Sequence, residues 1–237
     1  MIIFDNIVST LQKTGGISVL FNELEQRLTR DQVAFSKIEF NAHPTSSYQV
    51  QQRKRFLERY RTCDVHTPEQ KSIFHSTYYR TPSNRKNLIT VTTVHDFTYE
   101  RCSSGLKKIV HSTQKNHSIN NSDALICVSE NTKNDLLEFL PNIAPEKIFV
   151  VHNGVSDNFT PLNIQHNKKQ VLFVGQRGGY KNFLNTIKAL SMVRHIDIAC
   201  VGGGGFTKKE LASLDKYIPG RYAHLGYITE YQLNQEY

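Results

Sequence analysis

Two cations stand four residues apart in the segment VLFVGQRGGYKNF at 171–183. The pattern predicts a strand, a glycine-rich turn that contains Arg177 and Lys181, and the start of a helix. A guanidinium presents a planar fork to phosphate oxygens, and an ammonium presents a point charge. Because open α/β sheets bind ligands at the carboxyl ends of their strands, we expect this pair to neutralise a diphosphate without a metal. An Arg and a Lys that merely flank a surface turn are the alternative.

Two other glycine-rich turns lie near predicted strands. Gly15 and Gly16, in the segment TGGIS, precede a predicted helix, where free backbone N–H groups attract an anion. The glycines at 202–205 follow another strand, but Thr207 or Lys208 occupies the place of the third glycine of a dinucleotide-binding fingerprint. Each turn therefore either lets the backbone approach a ligand or is a simple tight turn.

His95 ends a predicted central strand in the segment TTVHDF. Its imidazole is expected to project into a cleft between domains, and a structural histidine is the alternative. No metal site is predicted, because the cysteines lie in no CxxC pair and no histidine cluster has ligand spacing. We expect four buried, reduced thiols, at Cys63, Cys102, Cys127 and Cys200.

The composition is that of an ordinary folded protein, with 38% hydrophobic and 21% charged residues and a formal net charge of +8. One local cluster, RKRFLERYR at 53–61, combines cations with large apolar side chains. Arg53, Lys54 and Arg55 are therefore candidates for contact with an anionic membrane surface, and a solvated helix face is the alternative. No nucleic acid is predicted as a partner, because no recognised nucleic-acid module accompanies the charge.

Short apolar segments alternate with helical patterns, which predicts an α/β fold with parallel sheets. The apolar segments of the first part lie at 2–4, 17–28, 33–40, 72–74, 88–94, 124–128 and 148–151, with helices at 106–120 and 130–140. A polar segment predicts a linker at 158–169 between a domain at 1–157 and a second at 170–237. The second domain has predicted strands at 171–174, 196–201 and 223–225, and helices at 182–192, 208–214 and from 229. Three strands are few for a doubly wound domain, so the second domain is expected to be incomplete.

No apolar run approaches the roughly 20 residues that cross a bilayer, and the N-terminal segment lacks the basic region and cleavage site of a signal peptide. A cytoplasmic location is the expectation.

Taken in order, these segments resemble family 4 retaining glycosyltransferases of the GT-B type. The resemblance spans nearly the whole chain, through IIFDNI and GGIS, TVHDFTYE, ALICVSENTKNDL, FVVHNGVSDNF, VLFVGQRGGYKNF, CVGGGG and HLGYITEYQL. In detail the chain looks most like bacterial mannosyltransferases that build O-antigen or related surface polysaccharide. The resemblance implies two Rossmann-like domains with parallel sheets, the second one incomplete.

The resemblance also implies roles for the candidate residues. Gly16, with Gly15 beside it, would donate its backbone N–H to the distal phosphate of the donor. Arg177 and Lys181 would hold the departing diphosphate, and His95 would hold a hydroxyl of the transferring sugar. The nucleoside would contact two turns, at Gly202, Gly203, Gly204 and Gly205 and at Gly226, Tyr227 and Ile228.

The implied reaction transfers mannose from GDP-mannose with retention of configuration and needs neither a cofactor nor a divalent ion. A UDP-sugar-dependent transferase is the alternative, because no residue selects guanine over uracil. The implied acceptor is a growing surface polysaccharide or lipid-linked glycan, which places the protein peripherally at the inner face of the plasma membrane.

The sequence departs from the family at its end. Family members continue past the LGYI-type segment into a region with two glutamates separated by seven residues and a closing helix, which this sequence does not contain. We therefore expect the chain alone to have little or no transferase activity. A non-catalytic nucleotide-binding protein, or a half-enzyme that needs a second chain, is the alternative.

Overall fold

The computed structural model of the chain describes residues 1–12, 15–40, 49–66, 68–162 and 169–237. The chain divides into two compact units, Met1–Gly154 and Val155–Tyr237. Thr14 of the first glycine turn and positions 163–168 of the predicted linker lie outside the described residues. Strands and helices alternate in both units, and every strand pairing in the described part of the chain is parallel. The predicted α/β class with parallel sheets is confirmed.

The sheet of the first unit has the strand order β3-β2-β1-β4-β5-β6-β7. Its strands are β1 (Ile2–Phe4), β2 (Phe35–Phe40), β3 (Gln49–Gln52), β4 (Ser72–Ser76), β5 (Leu88–Val94), β6 (Ala124–Cys127) and β7 (Ile148–Val150). Its helices are α1 (Val8–Leu11), α2 (Gly16–Arg30), α3 (Thr98–Cys102), α4 (Gly105–Asn120) and α5 (Glu130–Phe139). The strand order reverses between β1 and β4, and ligands bind at the carboxyl end of such a reversal in open parallel sheets.

Side-chain alternation along β1 explains why the first sheet is buried on both faces. Ile3 packs into one apolar cluster with Phe74, whereas its neighbour Phe4 packs into another with Phe21. Successive strand residues point to opposite faces, so a strand covered on both sides is apolar at every position. Helix α2 contributes Phe21, Leu24 and Leu28 to the second cluster, at the spacing of one helical face.

The second unit contains a three-stranded sheet of order β10-β9-β8. Its elements are β8 (Gln170–Val174), α6 (Phe183–Ser191), β9 (Asp197–Val201), α7 (Lys208–Tyr217), β10 (Tyr222–Gly226) and α8 (Glu230–Glu236). One apolar cluster joins the sheet to the helices, with Ile187, Ile198 and Leu214 buried in it. Helices α7 and α8 each begin with a capping box, in which Thr207 pairs with Glu210 and Thr229 pairs with Gln232.

Three details differ from the sequence expectations. Helix α1 lies between β1 and the first glycine turn, so Gly16 begins the second helix and not the first. Strand β3 was not predicted, because its sequence, QVQQ, is short and mostly polar. Cys102 is exposed, so the expectation of four buried thiols is wrong for this residue, which follows the end of the short helix α3 on the surface.

None of the helices in the described residues is long and apolar enough to span a membrane.

Candidate functional site

The carboxyl edge of the first sheet brings together residues that follow three adjacent strands. Asp5 follows β1, Thr77 follows β4 and His95 follows β5. The buried carboxylate of Asp5 accepts a hydrogen bond from the backbone N–H of Thr77 at 2.7 Å and another from the Thr77 hydroxyl. Sequence reasoning missed Asp5, although a carboxylate directly after the first strand is a recognisable signal.

A buried arginine lies behind this edge. The Arg80 side chain is 0% exposed, and its Nη2 atom is 2.5 Å from Glu58 Oε1. Its Nη1 atom lies 4.0 Å from Asp5 Oδ2, and neither of these two atoms has a hydrogen-bond partner. Burial raises the pKa of Asp5, against the opposing effect of the Arg80 charge and the Thr77 hydrogen bonds. Burial also works to raise the pKa of Glu58, but hydrogen bonds from Arg55 and the charge of Arg80 outweigh it and bring this pKa to about 2.

His95 is half-buried, and no described residue makes a hydrogen bond to its ring. Burial lowers the pKa of His95 to about 4, with the Asp96 charge opposing. The imidazole is therefore neutral at pH 7, and each ring nitrogen can donate or accept one hydrogen bond. A neutral, unpaired imidazole at the carboxyl end of a central strand suits contact with a hydroxyl group.

His75 lies deeper in the same sheet and was not predicted as a site residue. Its Nε2 atom is 2.8 Å from the Thr93 hydroxyl, and its ring packs against Phe4 and Phe21. Burial, with a smaller effect from the His95 charge, lowers the pKa of His75 to about 4. This histidine is a core residue with one satisfied hydrogen bond.

We expect the stability of the first unit to fall as the pH falls from about 6.5 to 4. In that window an unfolded histidine binds a proton and the buried His75 does not, so acid favours the unfolded chain. Each such histidine contributes a slope of about 1.4 kcal/mol per pH unit. Urea unfolding followed by circular dichroism should therefore give a shallower pH dependence for His75→Gln, which keeps a polar partner for Thr93. His117→Gln, at an exposed histidine, is the control, and an unchanged slope in His75→Gln would contradict the prediction.

Gly15 and Gly16 begin helix α2 with an uncapped end. Gly15 is the N-cap residue, in an extended conformation, and no side chain makes a capping hydrogen bond to this helix. Gly16 is exposed, and a Cβ atom added there would meet nothing within 4 Å. The first-turn N–H groups of α2 are thus open to a ligand, as an anion site requires.

The basic cluster at 53–61 divides into free and paired cations. Arg53 and Lys54 are exposed, whereas Arg55 forms ion pairs with Glu58 and Asp64 at 2.8 Å each. Arg55 therefore stabilises the local turn. Phe56 between these cations and the turn is 81% exposed.

In the second unit, three turns meet at the carboxyl edge of the sheet. The turn at 175–182 follows β8, the glycine loop at 202–205 follows β9, and Gly226 to Ile228 follow β10. Because these parallel strands are neighbours, their carboxyl ends share one edge. The structure therefore brings together the predicted donor residues of this unit, namely Arg177, Lys181, Gly202, Gly203, Gly204, Tyr227 and Ile228.

Lys181 ends a short 3₁₀ turn before α6 and is exposed. No described residue accepts a hydrogen bond from its ammonium group or forms an ion pair with it, and its nearest charge-related contact is the Tyr180 ring, 5.8 Å from Nζ. Tyr227 is 71% exposed on the last turn. These two side chains are available to a ligand as they stand.

Arg177 is placed differently, because its side chain is only 2% exposed. Its Nε atom donates to Glu210 Oε1 at 3.0 Å, and its two terminal nitrogens donate to the carbonyl groups of the glycine loop. The guanidinium also lies 4.8 Å from the centre of the Phe206 ring. In this arrangement the Arg177 side chain is committed to holding the loop.

The loop needs glycine for two reasons. Gly202, Gly203 and Gly204 have φ angles of 70° or 71°, in the left-handed region that other residues rarely adopt. A Cβ atom at Gly203 would also lie 2.5 Å from the Gly175 carbonyl oxygen. The loop and the turn after β8 therefore pack backbone against backbone.

Within the described residues, no group of three His, Cys, Asp or Glu side chains is arranged to hold a metal ion.

Comparison with known proteins connects both edges to sugar transfer. The sequence profile described as Glycosyltransferase Family 4 matches residues 14–159, more than half of the 237 residues. No curated protein matches the chain.

Three solved structures share the fold. The structure of WaaG, a glycosyltransferase involved in lipopolysaccharide biosynthesis, aligns over 100% of this chain and 72% of its own, with a TM-score of 0.65 and 9% identity. A mutant of S. aureus TarM in complex with Fondaparinux, alpha-GlcNAc-glycerol and UDP gives a TM-score of 0.52 and 16% identity over 68% of this chain and 34% of its own. A second TarM structure gives a TM-score of 0.52 and 17% identity over 69% of this chain and 34% of its own. The matched region is therefore about a third of TarM, and at these identities the likeness concerns the fold, which is of the GT-B type as predicted.

Proposed function

This chain belongs to glycosyltransferase family 4, and we propose that the carboxyl edge of its second sheet binds the nucleoside diphosphate of a sugar donor. The observation that carries the proposal is the convergence of three turns at that edge, with an exposed, unpaired Lys181 in one and a glycine loop in the next. An ammonium group and open backbone approach are what a diphosphate requires. The departing diphosphate carries the charge that develops during transfer, so a cation placed there lowers the barrier.

The donor that we propose is GDP-mannose, from which the chain, as part of a retaining hexosyltransferase, takes mannose. A UDP-sugar is the second candidate, supported by the UDP in the TarM complex. We propose no divalent ion and no cofactor, since Lys181 supplies positive charge at the diphosphate.

The first unit also offers groups that suit a sugar donor. The open N–H groups at Gly15 and Gly16 suit a phosphate, and the neutral His95 imidazole suits a sugar hydroxyl. His95 would hold that hydroxyl as positive charge develops on the sugar.

The acceptor that we propose is a surface polysaccharide or lipid-linked glycan at the inner face of the plasma membrane. The involvement of WaaG in lipopolysaccharide biosynthesis supports this class of acceptor. The exposed Arg53, Lys54 and Phe56 support contact with an anionic membrane. Sedimentation with anionic liposomes is the test, and binding that is unchanged in Phe56→Ser and Lys54→Glu would contradict it.

Nucleotide-dependent thermal stabilisation tests the donor proposal. GDP or UDP, whichever base the donor carries, should raise the melting temperature of the protein, because a ligand that binds only the folded state stabilises it. Lys181→Ala should lower the affinity about tenfold or more, as expected for one lost charge-assisted contact to phosphate. Lys188→Ala removes an exposed cation from the neighbouring helix α6 and is the matched control. Equal stabilisation of both variants, or none by any nucleotide, would contradict the proposal.

A further inference from the structure

The carbonyl oxygens of four consecutive glycines point towards one side chain. Arg177 Nη1 donates to the Gly202 carbonyl at 3.0 Å, and Nη2 donates to those of Gly203, Gly204 and Gly205 at 3.4, 2.7 and 2.9 Å. In a trans peptide the N–H bond points opposite to the C=O bond. The N–H groups of residues 203–206 therefore point away from the buried guanidinium.

These four N–H groups have no partner within the described part of the chain. The hydrogen bonds at the two ends of the loop are made by its neighbours, Gly202 N to the Gly226 carbonyl at 2.8 Å and Thr207 N to Glu210 Oε2 at 2.7 Å. Between them, no acceptor is paired with the backbone N–H of any residue from 203 to 206. Gly204 and Gly205 are exposed, so the donors face solvent.

Such a run of donors is suited to an anion. Successive backbone N–H groups that point the same way form concave sites for phosphate and similar groups. The positive charge of Arg177 lies at the opposite, carbonyl end of the same peptide groups, where it adds to the attraction for an anion. The Arg177 Nε atom is occupied by Glu210, so the guanidinium is fixed on both of its edges.

We propose that the loop at 202–206 binds a phosphoryl group of the nucleoside diphosphate through its backbone N–H groups, with Arg177 as a positioning residue behind the loop. The inference rests on the proposed function for the identity of the ligand. It assigns the glycine loop to the phosphate and not to the nucleoside, and it removes Arg177 from direct contact with the diphosphate. Lys181 remains the side chain that reaches the phosphate from the first turn.

NMR of ¹⁵N-labelled protein tests this assignment directly. Addition of pyrophosphate, or of GDP or UDP, should shift the amide signals of Gly203, Gly204, Gly205 and Phe206. The Arg177 Nε–H signal should stay in place, because its partner is Glu210 with or without ligand. A direct contact between Arg177 and the phosphate would instead displace that signal.

A pair of substitutions at one position provides the affinity test. Gly205 is not in the left-handed region, and a Cβ atom added there would meet nothing within 4 Å, so Gly205→Ala keeps the N–H group and the fold. Gly205→Pro removes the N–H group, and it should weaken pyrophosphate binding about tenfold relative to Gly205→Ala. If the proline variant does not fold, the amide shifts of the wild-type protein decide alone.

The outcomes separate this inference from the proposed function. Nucleotide binding with unmoved signals at 203–206 would overturn the inference and leave the function standing. Loop signals that respond to pyrophosphate, with no nucleotide bound at all, would support the loop and overturn the function. No response to any of these ligands would overturn both.

Discussion

Arg177→Ala is expected to lower the free energy of unfolding of the second unit by about 3 kcal/mol. The substitution leaves four glycine carbonyls without their donor and removes the cation from Glu210. Glu210 is partly exposed, with 20% of its side chain accessible, so water recovers part of the loss. Urea unfolding followed by far-ultraviolet circular dichroism measures the effect.

A matched control distinguishes loss of packing from loss of charge. Arg194→Ala removes an exposed arginine of the same unit and should change the unfolding free energy by less than about 0.5 kcal/mol. If Arg177→Ala unfolds like Arg194→Ala and yet no longer binds nucleotide, the guanidinium serves the ligand directly. That result would contradict the role that the structure indicates for this side chain.

Arg80→Ala is expected to cost the first unit about 3 to 5 kcal/mol, the range for breaking a buried ion pair by removing one partner. The guanidinium is enclosed between Glu58 and Asp5, and it also donates to the carbonyls of Arg61 and Thr62 at 2.9 and 3.1 Å. Its removal leaves the buried Asp5 carboxylate without a nearby cation, and the pKa of Asp5 is already raised by burial. The same urea titration reports the loss.

The exposed pair of Arg85 and Asp123 supplies the comparison. Its side chains are 44% and 45% exposed, and Arg85→Ala should cost at most about 1 kcal/mol. Similar costs for Arg80→Ala and Arg85→Ala would mean that the buried cluster does not hold the turn at 58–62 against the sheet. Raising the pH cannot rescue Arg80→Ala, since an ionised Asp5 is the form that suffers from burial.

Periodic and glycine-rich segments were the readable part of the sequence. The strands near Leu88–Val94 and Ala124–Cys127 and the helices α4 and α5 follow directly from apolar patterns and turn residues. Short elements with polar sequences, such as β3, carry no such pattern and need their neighbours in the sheet to form. Their positions follow from tertiary contacts that a single sequence does not display.

The candidate site was predictable in position and not in detail. Strand ends marked His95, Arg177 and the glycine loop, because the turns after parallel strands meet at one edge. The inward orientation of Arg177 was not predictable, since it depends on four carbonyl groups that converge only after the loop folds. Asp5 and Arg80 were missed because their partner Glu58 lies more than 20 residues from Arg80 and more than 50 from Asp5 in the sequence.

The central claim is that a nucleoside diphosphate binds at the carboxyl edge of the second sheet. Amide hydrogen exchange followed by mass spectrometry, with and without saturating GDP or UDP, tests it most directly. Exchange should slow in peptides that cover 175–182, 202–206 and 226–228, and it should not slow in these peptides of Lys181→Ala at the same nucleotide concentration. Protection that spares all three turns, while the nucleotide is bound, would contradict the account.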